Sequence, residues 1–141
     1  MERRGREPWS DEGCGDEVAE KLAHAVIGAA IEVHRELGPG LPETAYEAAL
    51  AHELTLRSIH HQRQSPVPIH YKGVLVGEGR VDLLVEGRLI IELKACEQLN
   101  HLHRAQVRAY LCATGHRLAL LINFNVSVLH DGIKRVLNVS R

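Results

Sequence analysis

The chain has 141 residues, enough for one domain with a substantial core, and 45% of them are hydrophobic. A formal charge of −1 excludes a global basic field, so any contact with nucleic acid has to come from a local patch. The cysteines, Cys14, Cys96 and Cys112, are odd in number and lack CxxC or zinc spacing, which reads as free thiols in a reducing cytoplasm. No apolar run is long enough for a membrane span, and the charged N-terminus lacks a signal-peptide core.

Residues 1–16 are polar, rich in charge and glycine, and carry a lone Trp9; they read as a disordered tail ahead of a single domain over 17–141. From Asp16, Val18, Leu22, Val26, Ala30 and Val33 recur at helical spacing, and Gly38-Pro39-Gly40 stops the helix. A second helix is predicted after Pro42, through Glu43, Tyr46, Leu50 and Leu54 to about Arg57. β-sequence follows: Ile59 to Gln64, Val67 to Tyr71, a turn at Lys72-Gly73, then Val74 to Val76. A hairpin is predicted within residues 81–95, and a third helix from about Asn100 to Thr114, ending at Gly115. Arg117 to Phe124 is almost continuously apolar, so it should be an interior strand parallel to a neighbour. A turn near Asp131-Gly132 leads to a last strand, Ile133 to Val139. The order gives an α/β domain with a central mixed sheet flanked by helices.

The hairpin VDLLVEGRLIIELKA carries Asp82, Glu92 and Lys94 inside otherwise apolar strand sequence. Buried charges cost several kcal/mol each unless they are paired or hold a metal. Glu92 and Lys94 share a strand face; whether Asp82 joins them depends on register. A two-residue turn at Glu86-Gly87 would pair residue 82 with 91 and put Asp82 on the wrong side. A three-residue loop, Val85-Glu86-Gly87, pairs 84 with 88 and 82 with 90, and places the glycine where a left-handed residue is needed. In that register Asp82 is diagonal to Glu92, about 6–7 Å between backbones.

Two carboxylates on adjacent strands suit Mg²⁺, with the Leu93 carbonyl as a further ligand and waters or a phosphate completing the shell. Lys94 would then orient or help deprotonate a water, or stabilise charge on the transition state. The competing explanation is a structural salt bridge between Lys94 and Glu92 or Asp82. Glu43, in the first turn of its helix, is either a helix-start carboxylate or a further ligand of metal or water, with Tyr46 on nearly the same face. Gln106 and Tyr110, at i and i+4, either form an ordinary solvated face or position a substrate. Lys72 and Arg80 flank the hairpin and, with Arg104, Arg108 and Arg135, could form a basic rim. His60-His61 and His101-x-His103 have no matching ligand set and read as surface residues.

Gly40, Glu43 and Tyr46 within GPGLPETAY fit a GxxExxY signature, and a series follows in order: Tyr71-Lys72-Gly73, Asp82, Glu92-Leu93-Lys94-Ala95, Gln106-x-x-x-Tyr110, Leu120-Leu121-Ile122-Asn123-Phe124 and Ile133-Lys134-Arg135. Over about residues 18–139 the chain resembles the GxxExxY proteins, a branch of the PD-(D/E)XK nuclease superfamily. Val81 stands where the superfamily name has proline. The resemblance implies a restriction-endonuclease-like αβββαβ core in which Asp82 and Glu92 bind Mg²⁺, with Mn²⁺ able to substitute. It implies Lys94 as the catalytic lysine, Glu43 as the acidic residue of the first core helix and Gln106 as the glutamine after the sheet. The implied activity is phosphodiester hydrolysis in DNA or RNA; the alternative is a non-catalytic member that binds nucleic acid or a protein. A homodimer would supply two sites for cutting both strands.

Overall fold

Small and β-branched side chains at heptad-like spacing, Ala19, Ala23, Val26, Ala30 and Val33, bury one stripe of the first helix. In the computed structural model of the chain, residues 10–139 are described, with side chains from Glu17 onward. Helix α1 runs Ser10–Leu37, so it begins earlier than the expected Asp16; Trp9, the rest of the expected tail before Ser10 and the Cys14 side chain lie outside the described residues. Helix α2, Glu43–Leu56, buries Tyr46, Leu50 and Leu54 against the same core. The alanines of α1 allow α1 and α2 to lie close together over one face of the sheet.

The sheet has five strands in the order β1 (His61–Tyr71), β2 (Val74–Val85), β3 (Leu89–Lys94), β4 (Leu118–Asn123) and β5 (Ile133–Leu137). β3 and β4 are parallel, as the apolar run of β4 implied, and the other neighbours are antiparallel. Helix α3, His101–Thr114, is the crossover between β3 and β4, and it packs Val107 and Leu111 on the opposite face from α1 and α2. Its start is fixed by Asn100, whose Oδ1 accepts from the N–H groups of Leu102 (2.9 Å) and His103 (3.1 Å). The two cores on either side make β3 and β4 interior strands, buried on both faces. No helix among the described residues is long and apolar enough to cross a membrane.

Two local departures from the expected strands matter for function. The β2–β3 hairpin pairs Val85 with Leu89 and Leu83 with Ile91, so the loop is Glu86-Gly87-Arg88 and the expected pairing of 84 with 88 is corrected by one residue on each strand. Parity survives, and residue 82 faces 92 directly rather than diagonally. Glu86 (φ 53°) and Gly87 (φ 66°) are both left-handed there. The non-glycine position is held because Glu86 donates its N–H to the His60 carbonyl (2.9 Å) and accepts from the His60 N–H (3.1 Å).

The second departure is that the expected separate segments on either side of Ser65-Pro66 are one strand, and so are Val74–Val76 and the first hairpin strand. Pro66 and Pro68 are tolerated because β1 is an edge strand, where an N–H pointing away from β2 has no partner to lose. Yet the strand pair is not regular. Val81 joins the α3-side core, whereas Leu83, two residues on, joins the α1/α2-side core. Strict alternation would put both on one face. The break lies at Asp82 and its unpaired opposite Gln64, which has φ 51°. Beyond it, β1 and β2 continue past β3 as a two-stranded arm whose outer part exposes Ile69, Tyr71, Val74, Leu75 and Val76.

Candidate functional site

The regular β2–β3 ladder ends at Leu83 and Ile91, and at the next rung side chains take over its hydrogen bonds. The Asp82 N–H donates to Glu92 Oε2 at 3.2 Å, and the Leu93 N–H donates to Asp82 Oδ2 at 2.7 Å. The two carboxylates are thereby locked to each other's strands, one oxygen each. Glu92 is only 5% exposed, and no donor among the described residues reaches its Oε1. Burial first, and the Asp82 charge second, push Glu92 up to about 8, against the opposing pull of the Asp82 N–H and of Lys94. A buried carboxylate facing a half-buried one, with one oxygen undonated, has the chemistry to hold either a proton or a cation.

The ammonium of Lys94, half-buried at the end of β3, makes no ion pair or hydrogen bond among the described residues. The structural salt bridge to Glu92 or Asp82 is therefore not formed, although its charge is felt by both Glu92 and Glu43. Glu43 reaches this group from the first turn of α2. Its pKa is raised, by burial first and by Asp82 and Glu47, while Lys94 and the Ala95 N–H hold it down. Asp82, Glu92, Lys94 and Glu43 thus come together from two strands and a helix.

Tyr46 explains how α2 delivers Glu43. It is fully buried, stacks on Phe124 (ring centroids 4.5 Å apart), donates its hydroxyl proton to the Gly38 carbonyl and accepts from the Leu41 N–H at 3.1 Å. Phe124 in turn donates its N–H to the Lys94 carbonyl at 2.9 Å. The motif tyrosine therefore clamps the loop before α2 onto the end of β3 and β4, and its side chain has no open face for a substrate.

The remaining candidates lie further out. Gln106 is exposed on α3, and its side chain has no hydrogen-bond partner among the described residues. Tyr110, one turn on, lies against the arm backbone at Gly79, where an added Cβ would meet the ring at 2.6 Å. Lys72 sits at the arm tip with its ammonium 5.4 Å from the Tyr71 ring centroid. Arg80 donates from Nη1 to the Gln64 carbonyl at 3.1 Å and lies 3.8 Å from Glu78. The Leu93 carbonyl belongs to a residue whose N–H is already bound to Asp82. Among the described residues no three His, Cys, Asp or Glu side chains are grouped to hold an ion, and His103 caps α3 by accepting from the Asn100 N–H.

Glu47 and Gln64 were not singled out from the sequence. Glu47 is buried, one turn after Glu43 in α2, and accepts from Arg63 Nε (3.1 Å) and Gln64 Nε2 (2.8 Å). The same Gln64 nitrogen donates to Asp82 Oδ1 at 3.3 Å. Glu47 could have been found as the carboxylate four residues after Glu43, on the same helix face.

No curated protein matches the chain. Among solved structures, the chain is similar to the crystal structure of SSO0001, with a TM-score of 0.52 and 15% identity over 70% of this chain and 50% of that one. The chain thus spans half the length of that protein, and at this identity the likeness concerns the fold. By sequence, the family profile described as the PD-(D/E)XK nuclease superfamily matches residues 20–136, a span that holds Glu43, Asp82, Glu92, Lys94 and Gln106. With an αβββαβ arrangement from α2 to β4 and a match over most of its length, the chain belongs to the PD-(D/E)XK nuclease superfamily.

Proposed function

We propose that the protein is a Mg²⁺-dependent phosphodiesterase of the GxxExxY branch that hydrolyses DNA or RNA. The observation that carries this reading is the direct opposition of buried Glu92 and half-buried Asp82 beside a Lys94 that has no ion pair among the described residues. Nucleases of this superfamily generally use divalent metal ions. The residues present fit one: two hard carboxylates, with Glu92 Oε1 undonated, and the Leu93 peptide drawn against Asp82. Asp82, Glu92 and the Leu93 carbonyl would hold Mg²⁺, and Mn²⁺ could replace it. When bound, the ion would polarise the phosphate and acidify a water.

The chain's own groups supply the rest. Lys94, without an ion pair among the described residues, carries a charge that acts on both Glu92 and Glu43, so it can orient the attacking water and offset charge developing on the phosphoryl oxygens. Glu43, held beside Lys94, is suited to receive a hydrogen bond or proton from that water. Gln106 and Tyr110, on the α3 flank, and Lys72 and Arg80, on the arm, are assigned to substrate contact. A cytoplasmic location and a homodimer with paired sites belong to the same reading.

The test is a cleavage assay with purified protein on single- and double-stranded DNA and RNA, with and without Mg²⁺. Metal-dependent cleavage that disappears in Asp82→Ala and Lys94→Ala, both still folded, is the expected result. Equal activity of wild type and both variants would sink the assignment. Oligonucleotide binding without cleavage would instead identify a non-catalytic binding member of the fold.

A further inference from the structure

Gln64 combines three unusual features in one place. Among the described non-glycine residues with positive φ, Ser58, Lys72 and Glu86 stand in connections, whereas Gln64 stands inside a strand. It faces Asp82 across β1 and β2, yet that rung is left out of the ladder, which runs from Arg63↔Leu83 directly to Ser65↔Val81. Its carbonyl, turned out of the ladder, is taken up by Arg80 Nη1 at 3.1 Å. A strand surrenders backbone pairing and accepts a left-handed glutamine only when its neighbours hold the residue there.

What the distortion achieves is visible at the side chain. One Nε2 donates to buried Glu47 at 2.8 Å and to Asp82 Oδ1 at 3.3 Å. Both partners are carboxylates, so the nitrogen rather than the oxygen must face them, and an NH₂ has one proton for each. The remaining Asp82 oxygen is fixed by the Leu93 N–H at 2.7 Å. Asp82 is thus held from both sides, by a backbone donor on β3 and by an amide anchored to α2.

We propose that Gln64 is a positioning residue for the metal-binding carboxylate, with buried Glu47 as the anchor that aims its amide at Asp82. The inference rests on the reading of Asp82 as a metal ligand. It assigns the αL kink of β1 a purpose: the kink brings the amide over the rung that Asp82 vacates. Partners of this outer kind typically govern metal affinity about 10–100-fold.

The experiment is Mn²⁺ titration of the full chain by calorimetry, paired with thermal melting without metal, on wild type, Gln64→Gly and Asp82→Ala. Glycine fits φ 51° without strain, so Gln64→Gly keeps the kink and removes the whole side chain, the amide included. The expected result is Mn²⁺ affinity weakened about 10-fold or more, with the metal-free melting temperature equal to or above that of wild type. Gln64→Asn is the second variant; it also tolerates positive φ but is one methylene short of both carboxylates, and the same loss is expected. A merely structural glutamine would lower the melting temperature and leave the affinity of the folded chain unchanged. Unchanged affinity in both Gln64 variants, with binding lost in Asp82→Ala, overturns the positioning role and leaves the metal site standing. A wild type that binds no Mn²⁺ overturns both.

Discussion

Glu92 carries the sharpest consequence at the scale of single residues. Its folded pKa, about 8, lies above the ordinary carboxylate value of 4.5, because burial and the Asp82 charge disfavour the ion. Between those two values the metal-free folded chain holds a proton that the unfolded chain has released. Its stability therefore falls as pH rises through that window, the opposite of a salt-bridged carboxylate. Metal-free wild type should accordingly lose melting temperature from about pH 5 to pH 8 relative to Glu92→Gln, which has no proton to lose there. Binding of Mn²⁺ should tighten over the same range and release up to about one proton per ion, seen as a buffer-dependent heat in calorimetry. A pH-independent affinity would contradict the protonated state of Glu92. Lys94 works against both raised carboxyls, so Lys94→Ala should move the onset of metal binding to higher pH as well as abolish cleavage. Because the Lys94 ammonium makes no ion pair among the described residues, its loss should change stability by no more than about 0.5 kcal/mol.

At the scale of elements, the site depends on two clamps that a substitution can open. Tyr46→Phe would remove the hydrogen bonds to the half-buried Gly38 carbonyl and the exposed Leu41 N–H, at a cost of about 0.5–1.5 kcal/mol by chemical denaturation. Cleavage should fall further than stability accounts for, because the loop sets the start of α2 and hence Glu43. The arm is clamped differently, by Tyr110 lying on Gly79. Gly79→Ala drives a methyl into the ring at 2.6 Å and should destabilise by about 1–3 kcal/mol, a loss that Tyr110→Ala in the same chain should partly reverse. Additive costs in the double variant would show that the contact is not the cause. These elements also show how far local sequence reaches. The apolar run of β4, the stop at Gly115 and the start of α2 after Pro42 are each written within a few residues, and all stand where expected. Even parity between residues 82 and 92 followed from the need to gather the charges, but the register did not. Glu86 adopts its left-handed conformation through His60, a partner 26 residues away. Gln64 was illegible for the same reason: nothing beside it in the chain announces a kink, and its partners Glu47, Arg80 and Asp82 come from other elements. Glu47 is no more legible, because its partners Arg63 and Gln64 reach it from β1 and not from its own helix.

For the molecule as a whole, the question is how a chain of net charge −1 would grip a polyanion. Global attraction is unavailable, so the contact must be local, and the arm is placed to make it. It departs from the sheet at Asp82, projects past the end of β3 where Lys94 stands, and among the described residues β2 is paired in its outer part with β1 alone. Its tip presents Tyr71, 62% exposed, with the Lys72 ammonium over the ring, a pairing of stacking surface and positive charge that suits an unpaired base and its phosphate. The outer arm contributes nothing to either core, so it can be shortened without unfolding the domain. Removing residues 70–76 and joining Ile69 to Gly77, its partner across the strands, with a tight Asn-Gly turn should leave Mn²⁺ affinity and melting temperature unchanged. Affinity for a single-stranded oligonucleotide, measured by fluorescence anisotropy without metal, should drop about 10-fold or more, on the order of one lost base stack. Lys72→Ala alone should lower the salt dependence of binding by about one phosphate contact. The exposed aliphatic residues Val74, Leu75 and Val76 make the competing outcome equally concrete. If the shortened chain binds the oligonucleotide as wild type does but changes from dimer to monomer in sedimentation, the arm joins two copies and the grip on nucleic acid has to come from the α3 flank around Gln106.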